Sequence, residues 1–132
     1  MPETYTPDEV EALAAAPAGL RELDAAAARA LGWEFIPDRG WHHARRRVWA
    51  GHGPIPPPYA SGKDWRLWGE LWDALPRDGG KCWHMGERPE DGSIEVWSLP
   101  VTGPCNAFGA TIGIALLNAL AAAGRLKREE AT

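Results

Sequence analysis

The stretch ATIGIALLNALAAA, residues 110–123, is apolar on nearly every side of the helix that it predicts. A surface helix carries one apolar stripe, so a helix without a polar face is expected to be buried on more than one side. This helix begins at about Ala107 or Ala110, and Gly124 gives it a natural stop. Gly109 and Gly113, four residues apart, would let another element approach it closely.

Two helices are predicted at the start of the chain. The sequence TPDE, residues 6–9, is typical of a helix start, because Thr6 can cap and Glu9 sits where a capping box needs it. Pro17 ends or kinks this helix. A second helix is expected from about Ala18 to Leu31, since its apolar residues recur at spacings of three and four.

A third helix follows the proline-rich connector at residues 51–58 and ends before Pro76. Ser61 or Asp64 can cap it. It carries tryptophans at helical spacing, which favours a core-facing stripe over an exposed stacking platform. These tryptophans are Trp65, Trp68 and Trp72.

Strand signals occur between these helices. Residues 33–36 alternate, and Trp41 to Ala50 is a candidate second strand. Lys81 to Arg88 and Ser93 to Leu99 are typical of a hairpin, which a loop at residues 100–109 follows. The order α-α-β-(β)-α-β-β-α predicts an α/β domain with a small, mainly antiparallel sheet and flanking helices.

Length and composition limit the class of protein. The chain has 132 residues, 45% of them apolar, and a formal charge of −4, which is typical of one globular domain. We expect a single domain over residues 1–132, with an ordered core at about 18–124, a helix within 1–17 and a flexible tail at 125–132. The acidic balance argues against a partner of extended nucleic acid. No apolar run is long enough for a membrane span, and the acidic start does not resemble a signal peptide.

Metal and nucleophile chemistry have weak signals. Cys82 and His84 would share one strand face, but no second pair of ligands has zinc-site spacing, so we expect no metal and no cofactor. Cys82 with His84, or Cys105 with Asn106, lacks the orienting third group of a catalytic dyad. We therefore expect no catalytic residue, with a small hydrolase as a remaining alternative. The other candidate metal ligands are His42, His43, His52 and Cys105.

Two segments are suited to an anion. Residues 102–106 lead into the last helix, where open backbone N–H groups with Asn106 and Thr111 would bind a phosphate. The alternative is plain capping by one of these two side chains. The segment WHHARRRVW, residues 41–49, interleaves arginines with tryptophans, and Lys63 would add charge. Its alternative is a solvated loop or edge strand.

Three segments together resemble the phage ABA-sandwich domain family. They are LDA and ALGW within residues 23–33, PYAS at residues 58–61 before a helix with Trp68, and GAT at residues 109–111 before an Ala- and Leu-rich helix. The resemblance covers roughly Leu20 to Ala123. It implies a three-layer α/β/α sandwich and a phage origin, hence a place in the cytoplasm of the infected bacterium. It implies no established reaction.

These observations favour a non-enzymatic phage accessory protein that binds a small anionic, nucleotide-like ligand as a homo-oligomer. Phages use small sponge proteins to sequester nucleotide signals of bacterial defence, which is an analogy of size and composition. The alternative is a protein–protein interaction module with a Trp-rich surface. Eight of the twelve aromatic residues are tryptophan. The exposure of those on or near strands separates these hypotheses; they are Trp41, Trp49, Trp83 and Trp97. The candidate ligand-binding residues are Arg45, Arg47, Tyr59, Lys63, Trp97, Asn106 and Thr111.

Overall fold

A computed structural model describes residues 4–51, 53–77, 82–99 and 106–128. The helices are α1 (Pro7–Ala14), α2 (Pro17–Ala30), α3 (Trp65–Ala74) and α4 (Ile112–Ala122). The strands are β1 (Trp33–Ile36), β2 (Gly40–His43), β3 (Val48–Trp49), β4 (Cys82–Glu87), β5 (Ile94–Leu99) and β6 (Asn106–Gly109). The predicted α/β class, with antiparallel strands and flanking helices in one domain, is confirmed.

The apolar helix α4 lies at the centre of the core. Every residue from Gly113 to Ala121 is buried. The helix packs against α1, α3, β5 and β6, so its lack of a polar face has a direct cause. Thr111 caps it by accepting a hydrogen bond from the Ile114 N–H at 3.2 Å.

The strands divide between two sheets where the sequence predicted one. The first sheet has the order β1-β2-β3 and the second has the order β4-β5-β6, and both are antiparallel. In the second sheet, Val96 and Ser98 are buried on the face that meets the core. Trp97 lies on the opposite, outer face, because successive side chains of a strand alternate between its two faces.

The single strand predicted from Trp41 to Ala50 is wrong. The chain reverses over residues 44–47, which we name the arginine turn, and this reversal separates β2 from β3. Arg47 adopts a φ of 56°, a left-handed conformation that permits the reversal. The arginines therefore lie on a turn and not within a strand.

The loop predicted over residues 100–109 is also wrong at its end, and so is the helix start at Ala107. Residues 106–109 form β6, which pairs with β5. A Cβ built on Gly109 would lie 2.4 Å from the Ala115 nitrogen, so β6 crosses the first turn of α4 at a distance that only glycine permits. The rest of that loop, with Cys105, lies outside the described residues, as does His52.

The two ends of the described chain meet. Thr4 bridges Lys127, the Tyr5 N–H donates to the Leu126 carbonyl at 2.9 Å, and Leu126 is fully buried. The sequence placed these later residues in a flexible tail, but Leu126 is part of the core and Arg128 is half-buried. Residues 129–132 lie outside the described part.

Within the described residues, no helix has the length and apolar character needed to cross a bilayer.

Gly113→Ala is expected to lower the free energy of unfolding by about 2 kcal/mol, because overpacking a tight core forces neighbours apart. The added Cβ would lie 2.5 Å from Trp68 Nε1 and 2.6 Å from the Tyr59 carbonyl oxygen. Gly69→Ala is the matched control, since its Cβ meets nothing within 4 Å. That control should stabilise the protein by roughly 0.5–1 kcal/mol through helix propensity. Urea denaturation of both variants measures this, and an undiminished stability of Gly113→Ala would contradict the packing.

Candidate functional site

A groove of about 930 Å³ opens between α1, the segment at residues 60–63, the β4–β5 loop and the β6–α4 junction. Three residues predicted from the sequence to bind a ligand line it, namely Lys63, Asn106 and Thr111. Small-molecule sites commonly have volumes of about 300–1,000 Å³, so the groove has room for a nucleotide-sized ligand. We name it the α1–α4 groove.

Charged groups of both signs line the α1–α4 groove. Lys63 and Arg88 are its cations, and Asp8, Glu11 and Asp91 are its acids. Asp91 already accepts hydrogen bonds from the Ser93 N–H and hydroxyl, at 2.9 and 2.7 Å. These bonds, that from the backbone N–H above all, lower the pKa of the Asp91 carboxyl. That carboxylate is therefore ionised and committed to its own loop.

Arg88 lies over an aromatic ring in the same groove. Its guanidinium carbon is 4.9 Å from the centre of the Phe108 ring, and its Nε is 3.6 Å from a Glu90 carboxylate oxygen. The Phe108 ring is exposed. The guanidinium covers part of one face of the ring, so the pair presents a flat cation together with a partly exposed aromatic side chain.

A buried amide holds the strand that carries Phe108. Asn118 of α4 is 7% exposed, and its Nδ2 donates to the Phe108 carbonyl. Its Oδ1 is buried with no hydrogen-bond partner among the described residues. Asn118 therefore fixes β6 against α4 from the groove side and carries an acceptor that the described protein atoms leave unsatisfied.

The groove wall at residues 60–62 depends on a buried carboxylate. Asp24, 1% exposed, accepts from the Ala60 N–H at 2.6 Å and from the Ser61 N–H and hydroxyl at 2.9 and 2.6 Å. Burial raises the pKa of the Asp24 carboxyl above its ordinary value, although these three donors act in the opposite direction. Its role is to position the wall.

Both predicted anion-binding side chains near the start of α4 already make hydrogen bonds within the protein. Thr111 is the cap, as the alternative from the sequence allowed. Asn106 lies in β6 and donates to Glu95 at 3.1 Å. Gly109 and Gly113 let β6 and the Trp68 ring approach the first turn of α4 closely, so their smallness has a packing reason.

Tyr59 lies in the core rather than at a site. It is fully buried, and its hydroxyl donates to Glu70 and accepts from Trp33 Nε1, both at 3.0 Å. Burial first, and the Glu70 charge second, raise the pKa of the Tyr59 hydroxyl. Arg46 completes this chain of hydrogen bonds with a contact of 2.6 Å to the same Glu70 oxygen.

Arg45 and Arg47 lie on the arginine turn, among residues that do not line the α1–α4 groove. Both side chains are exposed. Arg45 and Arg46 border a second hollow of about 570 Å³ at the C-terminal end of α2, with His43. Both imidazole nitrogens of His43 are occupied, by the Leu31 carbonyl and the Arg46 N–H. The predicted ligand-binding residues therefore do not form one site.

The outer face of the second sheet carries Trp97. Its ring is stacked with that of His84 at a centroid distance of 5.6 Å, and Cys82 is exposed on β4. No three His, Cys, Asp or Glu side chains in the described ranges are grouped as a metal site.

The tryptophans divide between core and surface. Trp41 is buried, Trp83 and Trp97 are half-buried, and Trp49 is 45% exposed. Trp65 is 69% exposed, so its predicted place in the core is wrong. It is the first residue of α3 and extends past the core edge, while Trp68 is buried.

Sequence reasoning missed three groove residues, Arg88, Phe108 and Asn118. A polar Asn within an otherwise apolar helix was the one available signal, since a buried amide needs a partner. Arg88 and Phe108 meet because β6 pairs with β5. The strand β6 was not predicted from the sequence.

In comparisons with protein-family models, curated proteins and solved structures, nothing matches this chain.

Asp24→Ala is expected to lower the free energy of unfolding by about 2 kcal/mol, because it leaves three donors without their acceptor. Asp24→Asn should cost less, since an amide oxygen still accepts. The raised pKa gives a further readout: the folded chain keeps the proton at a pH where the unfolded chain has lost it. The stability that this bound proton contributes is fully present below pH 3.8, the ordinary pKa of the carboxyl. It disappears as the pH rises through the pKa of Asp24 in the folded chain.

The advantage of the natural protein over Asp24→Asn should therefore shrink with rising pH in that window. Urea denaturation at several pH values measures it. A difference that grows with pH would show that the hydrogen bonds, and not burial, dominate this carboxyl.

Arg47→Gly is expected to raise the free energy of unfolding by roughly 0.5–1 kcal/mol, since glycine adopts a left-handed φ without a steric cost. Arg39→Gly is the matched control, because Arg39 is not among the residues with positive φ. The control should lose stability through chain entropy alone. Thermal and urea unfolding would test the pair, and equal losses in both would exclude backbone strain at Arg47.

Proposed function

We propose that this protein is a non-enzymatic binding protein that holds a small anionic, nucleotide-like ligand in the α1–α4 groove. The observation that carries the proposal is that two cations, Lys63 and Arg88, and the exposed Phe108 ring line this one groove. Asn106 and Thr111, which the sequence also selected for anion binding, line it too. The volume of about 930 Å³ suits a ligand of that size.

Each part of a nucleotide has a chemical counterpart in the groove. Lys63 and Arg88 supply positive charge for a phosphate. The exposed Phe108 ring beside Arg88 supplies a stacking surface for a base. The groove acids favour a ligand that also carries hydrogen-bond donors, as a base and a ribose do, over a bare phosphate.

The biological side of the proposal comes from the resemblance to the phage ABA-sandwich family. We propose on that basis that the protein acts in an infected bacterium, where a homo-oligomer would sequester a nucleotide signal of host defence. Gel filtration of the purified protein measures the oligomeric state independently of any ligand.

Titration with AMP, a cyclic dinucleotide and ADP-ribose, followed by calorimetry and thermal shift, tests the binding. At least one of them should bind, with an affinity that falls as salt rises. Lys63→Ala should weaken that binding about tenfold, the cost of one hydrogen bond to a charged group. Lys127→Ala is the matched control, an exposed lysine that does not line the groove. The proposal fails if the whole panel leaves the protein unchanged, or if both lysine variants bind equally well.

A further inference from the structure

One edge of the first sheet forms a surface that is separate from the α1–α4 groove. Its last strand, β3, lies at the edge of the order β1-β2-β3 and directly follows the arginine turn. β3 has two residues, and successive residues direct their N–H and C=O groups to opposite sides, so one of them presents groups that no neighbouring strand of its sheet uses. We name the surface formed by the arginine turn and β3 the β3 edge.

Two arginines of the β3 edge have no charged partner in the described chain. Arg46 is fixed, because its guanidinium contacts Glu70 at 2.6 Å and so ties the turn to α3. No hydrogen bond or ion pair joins the guanidinium of Arg45 or Arg47 to another described residue. The turn therefore presents two positive groups on a supported backbone, in a chain whose formal charge is −4.

Both side chains of β3 are apolar and exposed. Val48 pairs with His43 and Trp49 with His42, so the two side chains point to opposite faces of the sheet. The Trp49 ring rests against His42 at a centroid distance of 4.6 Å, which leaves it supported but 45% exposed. A strand added at this edge would find an apolar contact on each face.

Arg47 lies in a backbone conformation that disfavours a long side chain. A left-handed φ of 56° favours glycine or asparagine, and a long side chain there costs stability. A charge that only protects an edge from pairing could sit at any unstrained position. Val48 and Trp49 are exposed at this edge, and the residues that dominate binding at interfaces are enriched in Trp and Arg.

We infer that the β3 edge is a docking surface for an extended acidic segment of another protein, which pairs with β3 as an added strand. Carboxylates of that segment meet Arg45 and Arg47, and its apolar residues contact Val48 and Trp49. The unpaired backbone of β3 favours a peptide over a nucleic acid, because only a peptide continues the ladder of hydrogen bonds.

Fluorescence anisotropy with a short labelled peptide of alternating glutamate and valine tests the inference. The peptide should bind with an affinity that falls as salt rises, and a peptide of alternating lysine and valine should not bind. Arg45→Ala, Arg47→Ala and Trp49→Ala should each weaken binding about tenfold. Arg39→Ala, at the opposite end of β2, and Lys63→Ala, in the groove, should leave it unchanged.

Arg47→Gly keeps the test valid should an alanine variant unfold, because glycine suits the turn: this variant should stay folded and still lose the peptide. Several results would overturn the inference. They are no binding of the glutamate peptide, equal binding of the lysine peptide, an unchanged affinity in the arginine variants, or tighter binding of oligothymidylate than of the peptide. The last result would identify the surface as one for nucleic acid.

Discussion

The buried carboxylate of Asp24 fixes the short segment at residues 59–61 on which most of the molecule converges. It holds the backbone of Ala60 and Ser61 from α2. With that segment in place, the Tyr59 carbonyl accepts from Trp68 Nε1 of α3 at 3.2 Å, and the Tyr59 hydroxyl accepts from Trp33 of β1. A carboxylate without these donors would be costly to bury, so the fold and the charge depend on each other.

The same segment explains why the first turn of α4 needs a residue without a side chain. The Tyr59 carbonyl and the Trp68 ring lie where a side chain at position 113 would be. Glycine there lets α3 and the connector pack directly on the α4 backbone. The groove is the space that remains on the other side of this contact, between α1 and the loop that leads into β5. Its existence follows from how closely four elements approach one helix.

Much of this architecture could be predicted from local patterns. The capping box of Thr6 and Glu9, the unbroken apolar character of α4 and the alternation around Val96 are signals that one segment carries by itself. The strand β6 could not be predicted, because Ala107 and Gly109 are small for a tertiary reason and show no strand propensity. The arginine turn could not be predicted either, because its left-handed position holds Arg47 and not the glycine or asparagine that indicates a turn.

The candidate site was predictable only in part. Lys63, Asn106 and Thr111 do line one groove. Tyr59 was selected because it belongs to a motif, but it is buried and its hydroxyl is hydrogen-bonded within the core. The exposed Trp65 shows the limit of periodicity, which gives the direction of a side chain but not whether the core extends that far.

The meeting of the two ends of the described chain has a mechanical consequence. Leu126 holds Tyr5 through a backbone hydrogen bond, and Arg128 contacts Glu9 of α1 and lies over the Tyr5 ring at 4.6 Å. These last residues act as a clasp on α1, and α1 is one wall of the groove. Any event that pulls residues 126–128 away would loosen that wall, so the width of the groove is coupled to a stretch of chain more than a hundred residues distant in sequence.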